Sequence, residues 1–185
     1  MRKKRLKNNH KCESRFFTGA IILLCAILSL GFLGCAEMGG YSNETLYPAE
    51  VGSVYVEMFD NKSFWRGVEY ELTDALAKRI EAETPYKIIS SRDRADTIIS
   101  GQIVSINRSV LNVERETGRA LEKEVRLQAV VNWKNLKTGE LLINNQSVGA
   151  SASYSEWQNQ GFAYASTLAA NKLARRIVEL MEKEW

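Results

Sequence analysis

Apolar and polar residues change rhythm several times along this chain, and each rhythm names an element. From Phe16 to Gly34 the run FFTGAIILLCAILSLGFLG carries no charge, and nothing later is comparably apolar. Gly52–Asp60 alternates Val54, Val56 and Met58 against Tyr55, Glu57 and Phe59, the period of a half-buried strand. Val68, Leu72, Ala75, Leu76 and Ile80 then recur at helical spacing, with Arg66, Glu69, Asp74, Lys78 and Glu81 opposite. This predicts a helix over 64–83, N-capped by Ser63 and stopped by Pro85. Tyr86–Ser90 is short, β-branched and bounded by turn residues, a second strand. In the long extended run after Asp96 the apolar parity drifts, from Ile99 and Ile103 to Val104, Ile106 and Val110, so a bulge is expected near Ser105. Beyond the turn Glu116–Arg119, residues 121–135 alternate most cleanly: Val125, Leu127, Ala129, Val131 and Trp133 inward, Arg126, Gln128, Asn132 and Lys134 outward. These two runs form an antiparallel hairpin, and the turn Lys137–Glu140 leads into a more polar strand from Leu141, nearer an edge. Ser155-Glu156-Trp157-Gln158 has the form of a capping box before a last helix whose inner stripe is Phe162, Ala165, Ala169, Leu173, Ile177 and Leu180. The order β-α-β-β-β-β-α, with short turns between the later strands, is an α+β fold: a single mostly antiparallel or mixed sheet covered on one face by two helices.

Charge changes the meaning of the first apolar run. Met1–Arg15 holds seven Lys or Arg against Glu13 alone, and the uncharged run after it ends Gly34-Cys35. A basic segment, an apolar segment and a cysteine at the cut site resemble a lipoprotein export signal, in which Cys35 becomes the first mature residue and carries the lipid. The alternative is an uncleaved anchor, since roughly 20 apolar residues cross a bilayer. Either reading puts everything after Cys35 outside the cytoplasm. The organisation expected is therefore 1–34 as a removed signal, 35–51 as a lipidated tether and 52–185 as the folded domain. Without residues 1–34 the chain keeps 18 Lys+Arg and 21 Asp+Glu, a net charge of −3, so the basic pI gives no reason to expect nucleic acid. The only histidine, His10, and two of the three cysteines, Cys12 and Cys25, leave with the signal. What remains cannot build a Ser-His-Asp triad, a Cys-His pair or a His- or Cys-ligated zinc site, and no metal, cofactor or catalytic residue is expected. Glu114/Glu116 and Glu122/Glu124 flank the hairpin turn, but nothing nearby would raise one pKa as a glycosidase requires. Of Trp65, Trp133, Trp157 and Trp185, only Trp133 falls at core parity.

Several pieces in fixed order resemble the LPS-assembly lipoprotein family, LptE. They are Gly40-Tyr41-Ser42 soon after Cys35, VGSVYVEMFDNKSF from Val51, Glu71-LTDAL-Ala77, Ala95-Asp96-TIISGQI, and the paired turns Glu116-TGR and Lys137-TGE. The resemblance implies a lipid-anchored outer-membrane protein that sits inside or against a β-barrel of the LptD type and helps deliver lipopolysaccharide, without catalysing a reaction. Ala36 is compatible with outer-membrane sorting. Ala-Asp-x-x-x-x-Gly-x-Ile also occurs in lipoprotein activators of penicillin-binding proteins, which keeps a regulatory lipoprotein of a peptidoglycan synthase as the alternative. Residues 36–51 span at most about 55 Å at roughly 3.4 Å per residue, short for that role. In an antiparallel meander the turn Glu116–Arg119 and the exit into the last helix share one end of the sheet. Family members are thought to meet lipid A phosphates there with basic residues. That makes Arg115, Arg119 and Lys123 the candidates for lipopolysaccharide, beside Tyr154 and Trp157 as candidates for a partner interface. The competing reading is that these are solvated hairpin charges paired with Glu114, Glu116, Glu122 and Glu124.

Overall fold

A computed structural model describes residues 46–182; the segment expected to be an export signal, Cys35, the first part of the expected tether, and residues 183–185, Trp185 among them, lie outside it. The elements are β1 (Ser53–Val56), β2 (Asp60–Asn61), α1 (Val68–Glu83), β3 (Lys87–Ile88), β4 (Thr97–Val113), β5 (Ala120–Asn135), β6 (Leu141–Tyr154) and α2 (Phe162–Glu179). They build one mixed sheet in the order β3-β1-β4-β5-β6, with β2 also paired to β4. β1 runs parallel to β3 and β4, and β2 parallel to β4, whereas β4, β5 and β6 form an antiparallel meander. The α+β architecture expected from the pattern is the one observed.

The meander follows its sequence closely. Val125, Leu127, Ala129, Val131 and Trp133 are all buried, while Arg126, Gln128 and Lys134 are exposed on the opposite face. The parity drift in β4 is a bulge: pairing steps from Ile103↔Ala129 to Ser105↔Gln128 and leaves Val104 unmatched. Both hairpin turns use one device. Thr-Gly puts Gly118 at φ 66° and Gly139 at φ 79°, and the glycine N–H returns to the carbonyls of Glu114 and Asn135 respectively, closing each loop with the backbone sign that only glycine adopts freely.

The motif Ala95-Asp96-x-x-x-x-Gly101-x-Ile103 proves to be architectural. Asp96 accepts hydrogen bonds from the Gly52 N–H (3.1 Å) and the Ser53 hydroxyl (2.8 Å), and Lys137 reaches the same carboxylate at 2.5 Å, tying the start of β1 to β4 and to the second turn. Gly101 is bare because the Phe59 ring lies against it; a Cβ there would meet that ring and sit 2.7 Å from the Val130 carbonyl oxygen.

Several sequence expectations are corrected. β1 ends at Val56 and the chain rejoins β4 only at β2, so the parity slips: Phe59 is buried and Met58 is exposed. The helix begins at Val68 rather than Phe64, because Ser63 is engaged elsewhere. Its N–H and hydroxyl both donate to Asn61 Oδ1, and the helix starts instead from Gly67 at φ 98°. Glu69 Oε2 pins that start by accepting from Asn61 Nδ2 and the Gly67 N–H. Ser155 is not a helix cap either. Its hydroxyl donates to the Leu121 carbonyl and its N–H to Gln160 Oε1, a 3-10 turn follows over Glu156–Gln158, and α2 starts after Gly161. At the far end of α2 the helix stops at Glu179, so Leu180 turns outward and Met181 takes the buried place. Tyr47 and Val51 also belong to the core, and the Tyr86 hydroxyl donates to the Pro48 carbonyl, so the folded unit reaches back into the segment read as tether.

Candidate functional site at the hairpin end

The strand register brings the predicted residues to one end of the sheet. Lys123 pairs with Tyr154 across β5 and β6, so the tip Glu114–Arg119 and the 3-10 turn after β6 are neighbours. The Arg119 guanidinium lies 4.2 Å from the centre of the Trp157 ring, and Trp157 is more than half exposed. Arg115 is exposed at the tip and makes no ion pair among the described residues. Lys123 differs: its ammonium is 2.5 Å from Glu156 Oε1. That hydrogen bond, with the charge of Lys123 and then of Arg119, holds the Glu156 carboxyl below the usual carboxylate range. Tyr154 is buried in the core, which leaves Trp157 as the aromatic surface at this end.

Two of the four acids expected to neutralise these cations are engaged elsewhere. Glu124 pairs with Arg126 at 3.3 Å, and Glu114 accepts the Thr117 hydroxyl within the turn. Among the described residues neither Arg115 nor Arg119 has a carboxylate within ion-pair distance, although the charge of Arg119 is felt by Glu156. Beside them a shallow depression of about 370 Å³ is lined by Asn112, Glu122, Ser153, Ser155, Gln158 and Gln160, with no Lys or Arg. Chemically this end offers two forked cations, an apolar ring, and hydrogen-bonding groups that include the Glu122 carboxylate. Among the described residues no cluster of His, Cys, Asp or Glu could hold a metal ion, and no helix is long and apolar enough to cross a membrane.

A second cationic feature escaped sequence reading. Arg108 of β4 stands 4.5 Å over the Trp65 ring and 5.6 Å over the Phe162 ring, and those two rings are 4.1 Å apart. The three come from β4, the loop before α1 and the first residue of α2, so no local spacing links them.

The fold is thus a long two-turn meander backed by two helices, with basic and aromatic residues at its hairpin end. The same fold occurs in lipoprotein B from Nitrosomonas europaea (16% identity over 76% of this chain and 88% of that one, TM-score 0.50). It occurs also in protein XCC0632 from Xanthomonas campestris (10% identity, 69% of this chain, 81% of that one, TM-score 0.50). Rare lipoprotein B from Shewanella oneidensis aligns at 17% identity over 70% of this chain and 93% of that one, with a TM-score of 0.46. No curated protein matches the chain. The model of the LptE lipopolysaccharide-assembly family matches residues 51–181, and the chain belongs to that family.

Proposed function

We propose that this protein is an outer-membrane lipoprotein, acylated at Cys35 after loss of residues 1–34, that binds an LptD-type β-barrel and meets lipopolysaccharide at the hairpin end. The observation that carries the reading is the pair Arg115 and Arg119, exposed and without ion pairs, with Arg119 stacked on the exposed Trp157 ring. Arginine forks fit phosphate oxygens two at a time, and an adjacent indole supplies apolar contact. Lys123 contributes by holding Glu156 in place rather than as a free cation.

The direction of the strands supports the same reading. β1 begins beside the start of β4, and β4 then runs 17 residues to the tip, about 55 Å at roughly 3.3 Å per residue. The chain thus enters the sheet at the end opposite the basic hairpin tip. The role is non-catalytic, in keeping with a mature chain that lacks histidine and free thiol.

The partner half of the proposal is tested by solubilising outer membranes that contain the tagged full chain. A large β-barrel should copurify, and Trp157→Ala should lower its recovery. Recovery of a peptidoglycan synthase with no barrel would contradict the assignment.

A further inference from the structure

The two long edges of the meander are treated differently. On β6 the outward carbonyls are covered by α2: Lys172 Nζ donates to the Ser151 oxygen at 3.1 Å and Arg176 to the Gly149 oxygen. Further along, Asn145 at φ 47° interrupts the strand. Such caps and irregularities keep an edge from pairing with other chains. Among the described residues β4 has no equivalent protection. It is paired to β5 throughout, but on its other side β1 reaches only Ile99 and β2 only Ile103. After the bond from the Lys62 N–H to the Ile103 carbonyl, no backbone hydrogen bond forms on that side among the described residues.

The register fixes which groups are open. Gly149 and Ser151 point out of β6, so their partners Gln128 and Arg126 point toward β4, where they face Ser105 and Asn107. The backbone N–H and C=O groups of Ile106, Arg108 and Val110 therefore point to the open edge. Residues Asn107–Val113 are all exposed, including Val110, Leu111 and Val113. Arg108 is the one charged residue from Ile106 to Val113, and among the described residues its guanidinium has aromatic rings but no carboxylate within ion-pair distance.

We propose that the edge Ile106–Val110 of β4 takes up an extended segment of another protein as an added strand, with a carboxylate of that segment beside Arg108. Strand addition of this kind draws affinity from main-chain hydrogen bonds and selectivity from side chains on alternate positions. A second copy of this chain fits poorly. Only Ile106, Arg108 and Val110 face outward, so a symmetric antiparallel pair would set Arg108 against Arg108 or against its diagonal neighbour, and like charges so placed repel. The inference does not rest on the phosphate reading of the hairpin tip, which uses Arg115 and Arg119.

The test uses the full chain in detergent and a synthetic peptide of alternating Thr and Val with a central Glu. The peptide should bind, and amide exchange should slow at Arg108 and Val110. Val110→Pro removes an outward N–H and no bond to β5, so the circular dichroism should be kept while peptide affinity falls at least tenfold. Arg108→Glu provides an independent arm: it should weaken the Glu peptide at least tenfold and favour a peptide with Lys at the centre. Absence of peptide binding, affinity unchanged in both variants, or equal binding of the Lys peptide to the parent chain would overturn the proposal. Concentration-dependent dimers abolished by Val110→Pro would overturn it too, in favour of a second copy.

Discussion

Gly101 and Asp96 show how a short motif acts as a set of individual contacts. Adding one methyl at Gly101 drives a Cβ into the buried Phe59 ring and toward the Val130 carbonyl of β5. Gly101→Ala should therefore destabilise by about 1–3 kcal/mol, the usual range for overpacking, read as a lower urea midpoint. Asp96 makes the same region acid-sensitive. Its hydrogen bond from Lys137, then those from Ser53 and Gly52, pull its carboxyl from 3.8 down to about 2. A carboxyl lowered on folding contributes stability that is complete above the unfolded value and disappears as pH falls through the folded one. The melting temperature should thus drop between about pH 4 and about pH 2, and Asp96→Asn should flatten that limb while lowering the plateau. The motif was legible in the sequence as a string; that its aspartate ties together three elements far apart in the chain was not, because Gly52, Ser53 and Lys137 lie at no local spacing from it.

At the scale of elements, legibility tracked periodicity. β5 alternates without a break, and its inward set was read correctly at every position because one buried face imposes one parity. α1 shows its stripe just as clearly, and its buried residues are the five that the spacing named. Errors gathered where side chains compete for the backbone. Ser63 and Ser155 both look like caps, yet Asn61 captures the first and the Leu121 carbonyl the second, at distances along the chain that no capping pattern anticipates. Ser155→Ala gives a check: it should cost about 0.5–1.5 kcal/mol for one lost hydrogen bond and leave the helix content unchanged by far-UV circular dichroism, since α2 starts from Gly161. A loss of helicity would show that Ser155 caps after all. The slip at Phe59 has a different origin, because β1 and β2 are separated by three residues whose path is set by β4 and not by their own pattern.

At the scale of the whole molecule, the meander acts as a rod with unlike ends. One end receives the chain at β1 through the Asp96 clasp, and the other carries Arg115, Arg119 and Trp157. The order of turns placed the hairpin tip and the exit of β6 at one end, as an antiparallel meander must, and the resemblance to the LptE family singled out the basic residues there. Neither separated paired cations from unpaired ones, because the ion pair of Lys123 with Glu156 depends on the 3-10 turn that replaces the expected helix start. The central claim is that the two unpaired arginines meet lipid A phosphates. Each charge-assisted contact is worth on the order of 1.5–3 kcal/mol, whereas exposed tip charges contribute little to the fold. The most direct measurement is lipopolysaccharide binding by the full chain and by Arg115→Glu/Arg119→Glu, at low and at physiological salt. The account predicts a melting temperature within a few degrees of the parent, at least a tenfold loss of binding, and a steep salt dependence in the parent that the variant lacks. Equal binding by the two proteins at both salt concentrations would contradict it.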